Sequence, residues 1–217
     1  MAQIFSRRFG LLLKAAAIAA ALVALALVFV ARGVASDPHW AGHPVTQPIP
    51  FSHEHHVNDV GLDCRYCHTG VETSAHARLP TIAICMSCHS QLYRAAPVLA
   101  PLHKAWIDPA APLAWQRVHD LPDFVYFDHS IHINKGVGCS SCHGRVDKMP
   151  LTWRTGSLKM QWCLACHRAP EAVLRPRDQV FDMDWQPPDD QARRGAALLK
   201  SYDIDKRPLT ECSTCHR

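Results

Sequence analysis

The sequence predicts a mostly α-helical, largely irregular chain: short helices gathered around bulky bound groups, preceded by one helix that crosses a membrane. Three observations predict this. Residues 1–35 contain an apolar run of transmembrane length. Sixteen prolines and ten glycines interrupt most periodic stretches of the remainder. Ten cysteines and fifteen histidines cluster together along the chain. A chain so interrupted has little means of burying a large side-chain core, and bulky ligands are the simplest substitute for one.

The first element is the N-terminal run. Arg7, Arg8 and Lys14 precede or open it, with no acid among residues 1–14. Leu11 to Ala31 is 21 residues, about 31 Å of α-helix against a bilayer core of about 30 Å. Two readings compete. A cleaved signal peptide would use the small residues Gly33, Val34, Ala35 and Ser36. A retained signal-anchor is preferred, because a cleaved signal's apolar region is about 7–15 residues. In both cases the chain is exported, with the basic end in the cytoplasm and everything after residue 35 outside. Ala15, Ala16, Ala17, Ala19, Ala20, Ala21, Ala24 and Ala26 give the run a small-residue surface. Such surfaces suit close packing against another membrane subunit, although they also serve a plain anchor. Residues 36–50 read as an extended, proline-bearing linker, and 51–217 as the domain beyond it.

Charge excludes little. The formal net charge is +4, but no basic run accompanies it, so no nucleic-acid partner is expected. Acidic bound groups would also cancel a charge of this size.

All ten cysteines fall in five Cys-x-x-Cys-His motifs. These are Cys64/Cys67/His68, Cys85/Cys88/His89, Cys139/Cys142/His143, Cys163/Cys166/His167 and Cys212/Cys215/His216. Cys-x-x-Cys-His is the c-type haem attachment sequence: two sulfurs form thioethers with the vinyl groups, and the following His is held beneath the iron. Paired Cys-x-x-Cys motifs 15–20 residues apart also describe zinc sites, and the 17 residues from Cys67 to Cys85 and 20 from Cys142 to Cys163 fit that spacing. Zinc leaves the His after every pair and the lone fifth motif unexplained. Thiol–disulfide chemistry is equally blind to the His. Five covalently bound haems c are therefore expected, and the fold class becomes a mostly α/irregular multihaem cytochrome c with one N-terminal transmembrane helix.

Ten further histidines could complete the irons. A filled sixth position gives a low-spin electron carrier; an open one gives ligand binding or catalysis. Phe51-Ser52-His53-Glu54-His55-His56 precedes the first motif and Phe127-Asp128-His129-Ser130-Ile131-His132 the third. Both read F-x-H-x-x-H, and each is followed by two attachment motifs, which marks an internal duplication of units 51–96 and 127–170. Histidines at i and i+3 share a helix face, so His53, His56, His129 and His132 are expected as four distal ligands, each reaching a different iron. His119 is the first candidate for the fifth, with Met149 or Met183 as rivals that would raise the potential. His55 is expected as a neighbour rather than a ligand. His39, His43, His76 and His103 have no repeat context and are expected at the surface or near propionates. Trp106, Trp115, Tyr126, Phe127, Trp153, Trp162 and Trp185 are expected against haem faces. One further helix is expected at Gln191–Ser201, and the fifth motif, 212–216, closes the chain.

These residues resemble a known family. Phe51–His68, Arg117–His132, Gly136–Met149 and Met160–Arg168 are similar to the pentahaem cytochrome c subunit of alternative complex III, a bacterial quinol-oxidising complex. The repeat alone is shared with cytochromes of the c3/c7 kind. The resemblance implies a haem-bearing electron-transfer subunit on the periplasmic side of the inner membrane. Its partners would be an iron–sulfur subunit, integral membrane subunits, a monohaem cytochrome c and, downstream, a terminal oxidase. Quinol chemistry would then lie in neighbouring subunits. Other classes remain open on the residues alone. A self-sufficient, single-helix multihaem quinol dehydrogenase would need an acid or Lys near the membrane, such as Asp37, Asp59, Asp63 or Lys104. A reductase of nitrogen or sulfur oxyanions would need an open iron. A free periplasmic carrier would need the leader removed.

Overall fold

The structure, a computed structural model, describes residues 6–35, 41–108 and 110–216. It divides into two units, Met1–Trp40 and Ala41–Arg217. His39 and Asp37 fall outside the described residues.

The first unit is one helix, α1, Arg7–Ala35. Arg7–Arg32 within it is long and apolar enough to cross a membrane. Leu12, Leu13, Leu22 and Leu25 lie at separated angles around the axis and all are exposed. An amphipathic surface helix has one apolar stripe; one apolar all round needs an apolar surrounding.

In the second unit the described residues form short helices: α2 Cys64–Cys67, α3 Ile82–His89, α4 Ala100–Ile107, α5 His129–Asn134, α6 Cys139–His143, α7 Met160–Arg168, α8 Gln191–Ser201 and α9 Cys212–Cys215. A π-helical turn spans Glu54–Asp59. No strands occur among the described residues; there are isolated bridges only, Pro44 to Trp153, Val125 to His216 and Val137 to Leu174. The mostly helical, irregular architecture is thus as the composition predicts, and α8 falls where it is expected.

Two small apolar clusters replace a central core. One is Ile49, Met86 and Leu102, with Trp115 and Leu113 packed on it. The other is Val71, Ile133 and Val180, with Cys139 and Phe181 against it. Part of the expected linker is not free: Gly42 N–H donates to Arg154 O at 2.7 Å and Pro44 pairs with Trp153. Backbone hydrogen bonding lays residues 42–45 along 152–154.

Helix α8 packs backbone to backbone on the turn Pro170–Ala172. A Cβ at Gly195 would overlap the Glu171 carbonyl, and Gln191 Nε2 donates to that same oxygen at 2.8 Å. Backbone cannot rotate aside as a side chain can. Gly195→Ala is therefore expected to cost about 2 kcal/mol, despite alanine's better helix propensity; urea denaturation measures it, and an unchanged midpoint would refute this close approach.

Candidate functional site

Each attachment motif sits on a helical turn, which puts its two cysteines at i and i+3 on one face with the histidine directly after. Asp63 caps α2, its carboxylate accepting from the Arg65 N–H at 2.8 Å. The motif cysteines are all unpaired thiols, standing in for the thioether sulfurs of a loaded chain.

The structure brings histidines distant in sequence face to face. His53 stands opposite His68 with ring centroids 6.5 Å apart, His56 opposite His89 at 6.2 Å, His129 opposite His143 at 6.4 Å and His132 opposite His167 at 6.1 Å. These separations exceed ring stacking contact. A metal between two imidazoles, with bonds of about 2 Å to each nitrogen and about 1.1 Å from nitrogen to centroid, sets the centroids about 6.2 Å apart. All four pairs fit that requirement.

The outer edges of the rings are held as well. Nδ1 of His56 lies 2.8 Å from Ser52 O, and that of His132 lies 2.7 Å from Asp128 O. Nδ1 of His68, His129 and His167 meets the carbonyls of Arg78, Ala75 and Leu209 at 2.8, 2.9 and 2.7 Å. His89 and His216 reach Leu92 O at 3.3 Å and Phe124 O at 3.2 Å. His53 Nδ1 is 2.9 Å from Thr152 Oγ1. A hydrogen on Nδ1 satisfies each acceptor and leaves the Nε2 lone pair free for a metal, the usual arrangement around a ligating imidazole. Burial, and secondarily His68, pushes the His53 pKa down to about 4. Burial, followed by His119, pushes His143 to about 3. Both rings therefore stay neutral.

The duplication reads out in three dimensions. Phe51 meets His53 edge-on at 4.9 Å and stacks on His56 at 4.5 Å; Phe127 does the same to His129 at 4.7 Å and His132 at 4.5 Å. Each phenylalanine of F-x-H-x-x-H thus sets the orientation of both rings that follow it.

His119 corrects an expectation. It does not stand at the fifth motif: its Nε2 lies 3.2 Å from Nδ1 of His143, with ring centroids 4.2 Å apart. That nitrogen is committed to the outer edge of a third-motif ring, and burial pushes the His119 pKa down to about 4. Met149 is 1 % exposed, and its carbonyl accepts from Glu54 N–H at 3.2 Å, beside the first unit's histidines. The fifth motif is held elsewhere: Tyr126 N–H donates to Cys215 O at 2.8 Å, and the Phe124 ring lies 5.7 Å from that of His216. Met183 is buried. Among the remaining candidates, His55 is exposed and bonds Asp59 at 3.0 Å. Asp63 is taken by Arg65. Lys104 lies on α4, as does His103, whose Nε2 is buried without a partner.

Sequence reasoning missed Arg175. It is 2 % exposed, stacks on Trp185 at 4.1 Å, and donates to Ser140 Oγ, Ser141 Oγ and Asp182 O, each at 3.1 Å. Ser140 and Ser141 are the two residues between Cys139 and Cys142, so a buried guanidinium grips the third motif from behind. Gly138 makes room for it: a Cβ there would overlap the guanidinium. A lone Arg before Pro176 has no sequence signature. Trp185 therefore lies against a cation and Trp115 in an apolar cluster.

Comparison with known proteins gives the family of the chain. Residues 125–217 match the family described as cytochrome c7 and related cytochrome c. A relative from Nitratidesulfovibrio vulgaris, "Menaquinone reductase, multiheme cytochrome c subunit", is 33% identical over 170 residues, 78% of this chain and 67% of that one. The chain belongs to the multihaem cytochromes c. A second relative of this cytochrome, the "High-molecular-weight cytochrome c" of the same organism, is 25% identical over 207 residues, 77% of this chain and 34% of that one. Membership implies covalently bound haem c and electron transfer, for which the Cys-x-x-Cys-His motifs and paired imidazoles of this cytochrome are the fitting residues.

Proposed function

We propose that this cytochrome is the haem-bearing subunit of a membrane quinone oxidoreductase of the alternative complex III type. In this reading α1 anchors it in the inner membrane, residues 41–217 face the periplasm, and five haems c are attached. Cys64, Cys67, Cys85, Cys88, Cys139, Cys142, Cys163, Cys166, Cys212 and Cys215 hold them. His68, His89, His143, His167 and His216 bind from one side. His53, His56, His129 and His132 bind opposite the first four in the pairs described above. Haem supplies reversible one-electron chemistry. The chain's own residues orient the imidazoles and, at the first four sites, would set a second imidazole opposite the first, which favours electron transfer over substrate turnover. The observation that carries this reading is the set of four imidazole pairs joining distant histidines at the separation an iron requires.

An iron–sulfur subunit, integral membrane subunits and a monohaem cytochrome would be its partners, with a terminal oxidase downstream. The relative named as a menaquinone reductase subunit favours a second reading, in which electrons run towards quinone. Mild detergent extraction, a native gel stained for haem, and paired assays of quinol-dependent reduction and quinone-dependent oxidation separate the two. Reduction of the isolated chain by quinol unaided would sink both and make it a dehydrogenase in its own right.

Spectroscopy tests the pairing itself. The planes of His53/His68 and His129/His143 lie 10° and 12° apart, whereas those of His56/His89 lie 64° apart. Rotation of one imidazole plane against the other lessens the in-plane splitting of the iron d orbitals. The oxidised protein is therefore expected to show rhombic low-spin EPR signals plus one strongly anisotropic signal that Cys85→Ala/Cys88→Ala removes. A wholly uniform set of rhombic signals would contradict the geometry.

A further inference from the structure

We propose that the five attachment sites lie in single file in the order second, first, third, fourth, fifth, making the second and fifth motifs the two ends at which the chain exchanges electrons with its partners. The proposal rests on the five-haem reading above.

The first and second sites share a scaffold. Tyr66 and Ser87, which lie inside their respective Cys-x-x-Cys brackets, hydrogen-bond through their hydroxyls at 2.9 Å. His53 and His56 stand on one turn, and Phe51 touches both rings. The third and fourth sites share theirs in the same way, through α5 and Phe127.

The two repeats meet through an exchange of supports between the first and third sites. His129, opposite the third motif's histidine, is held by Ala75 O, in the segment that follows the first motif. His53, opposite the first motif's histidine, is held by Thr152, in the segment that follows the third. Arg65, inside the first motif, stacks on Phe181 at 4.5 Å, and Phe181 packs in the apolar cluster that includes Cys139 of the third. The first and third motifs therefore face one another at the centre.

The fifth motif joins through the fourth. His167 Nδ1 donates to Leu209 O at 2.7 Å, in the turn Pro208–Thr210 that leads into α9. At the far end, the second motif's helix α3 packs on α4 and, through its own Met86, on Ile49 and Leu102. Those neighbours carry no attachment motif.

The test uses the full chain in mild detergent. Pyridine haemochrome absorbance and intact mass first establish the haem count; fewer than five overturns the five-haem reading on which the order rests. With five present, NMR of the reduced protein is expected to show haem-to-haem cross-peaks for first–second, first–third, third–fourth and fourth–fifth. A second–third, second–fourth or first–fifth cross-peak overturns the order. Deletion variants give an independent readout. Cys85→Ala/Cys88→Ala is expected to change the EPR relaxation of the first site alone and to abolish one partner half-reaction. Cys212→Ala/Cys215→Ala should change the fourth site alone and abolish the other half-reaction. Either variant keeping both half-reactions, or perturbing the third site, would overturn the proposal.

Discussion

His129→Gly will convert one low-spin iron into a high-spin one that binds carbon monoxide. The His129 ring stands 6.4 Å from that of His143 in a nearly parallel pose, the geometry of two ligands on one metal. Removing it leaves His143 in place, still supported by His119. The third site alone should open, so one site's share of the low-spin signal moves to high spin, and that site's potential rises as a donor nitrogen is lost. Added imidazole should restore the low-spin spectrum by occupying the vacated position. The variant also loses the Ala75 support, which costs about 1–2 kcal/mol, so spectra belong below the shifted unfolding midpoint. A low-spin spectrum identical to the parent would show that His129 is not a ligand.

Arg175→Leu will lower the midpoint potential of the third site and destabilise the fold. Its guanidinium is buried, makes three hydrogen bonds, two of them to the residues between Cys139 and Cys142, and covers Trp185. A buried positive charge disfavours the oxidised, more positive iron. Its removal therefore favours oxidation, and the potential falls. Loss of three bonds from a charged donor costs about 3 kcal/mol or more. Arg175→Lys separates the two effects: the charge remains, but the planar fork that spans Ser140, Ser141 and Asp182 does not. Spectroelectrochemistry should find the potential largely recovered in the lysine variant, while urea denaturation finds the stability still low. A third-site potential equal in all three proteins would remove Arg175 from any tuning role.

The chemistry of this chain is legible locally because it is encoded locally. A Cys-x-x-Cys-His turn needs only helical spacing to align two sulfurs and a ring. The F-x-H-x-x-H repeat needs only its phenylalanine to steer both histidines, and Phe51 and Phe127 do so alike. The apolar run over residues 11–31 and helix α8 are equally local signals.

The rest depends on segments far apart in the chain. Spacing says that His53 and His56 reach different sites; it does not say that His53 meets His68 and His56 meets His89. The supports behind the rings are backbone carbonyls at Ala75, Arg78 and Leu209, and a carbonyl is the same atom in every residue. His119 looks like a spare ligand in sequence, yet folding commits it to His143, 24 residues away. By itself the sequence determined the five Cys-x-x-Cys-His turns and the two F-x-H-x-x-H turns, because those depend on helical periodicity. Only the tertiary structure decided which histidine pairs with which, what holds each ring and which charge lies behind the third motif, because these contacts join residues that no short-range spacing relates.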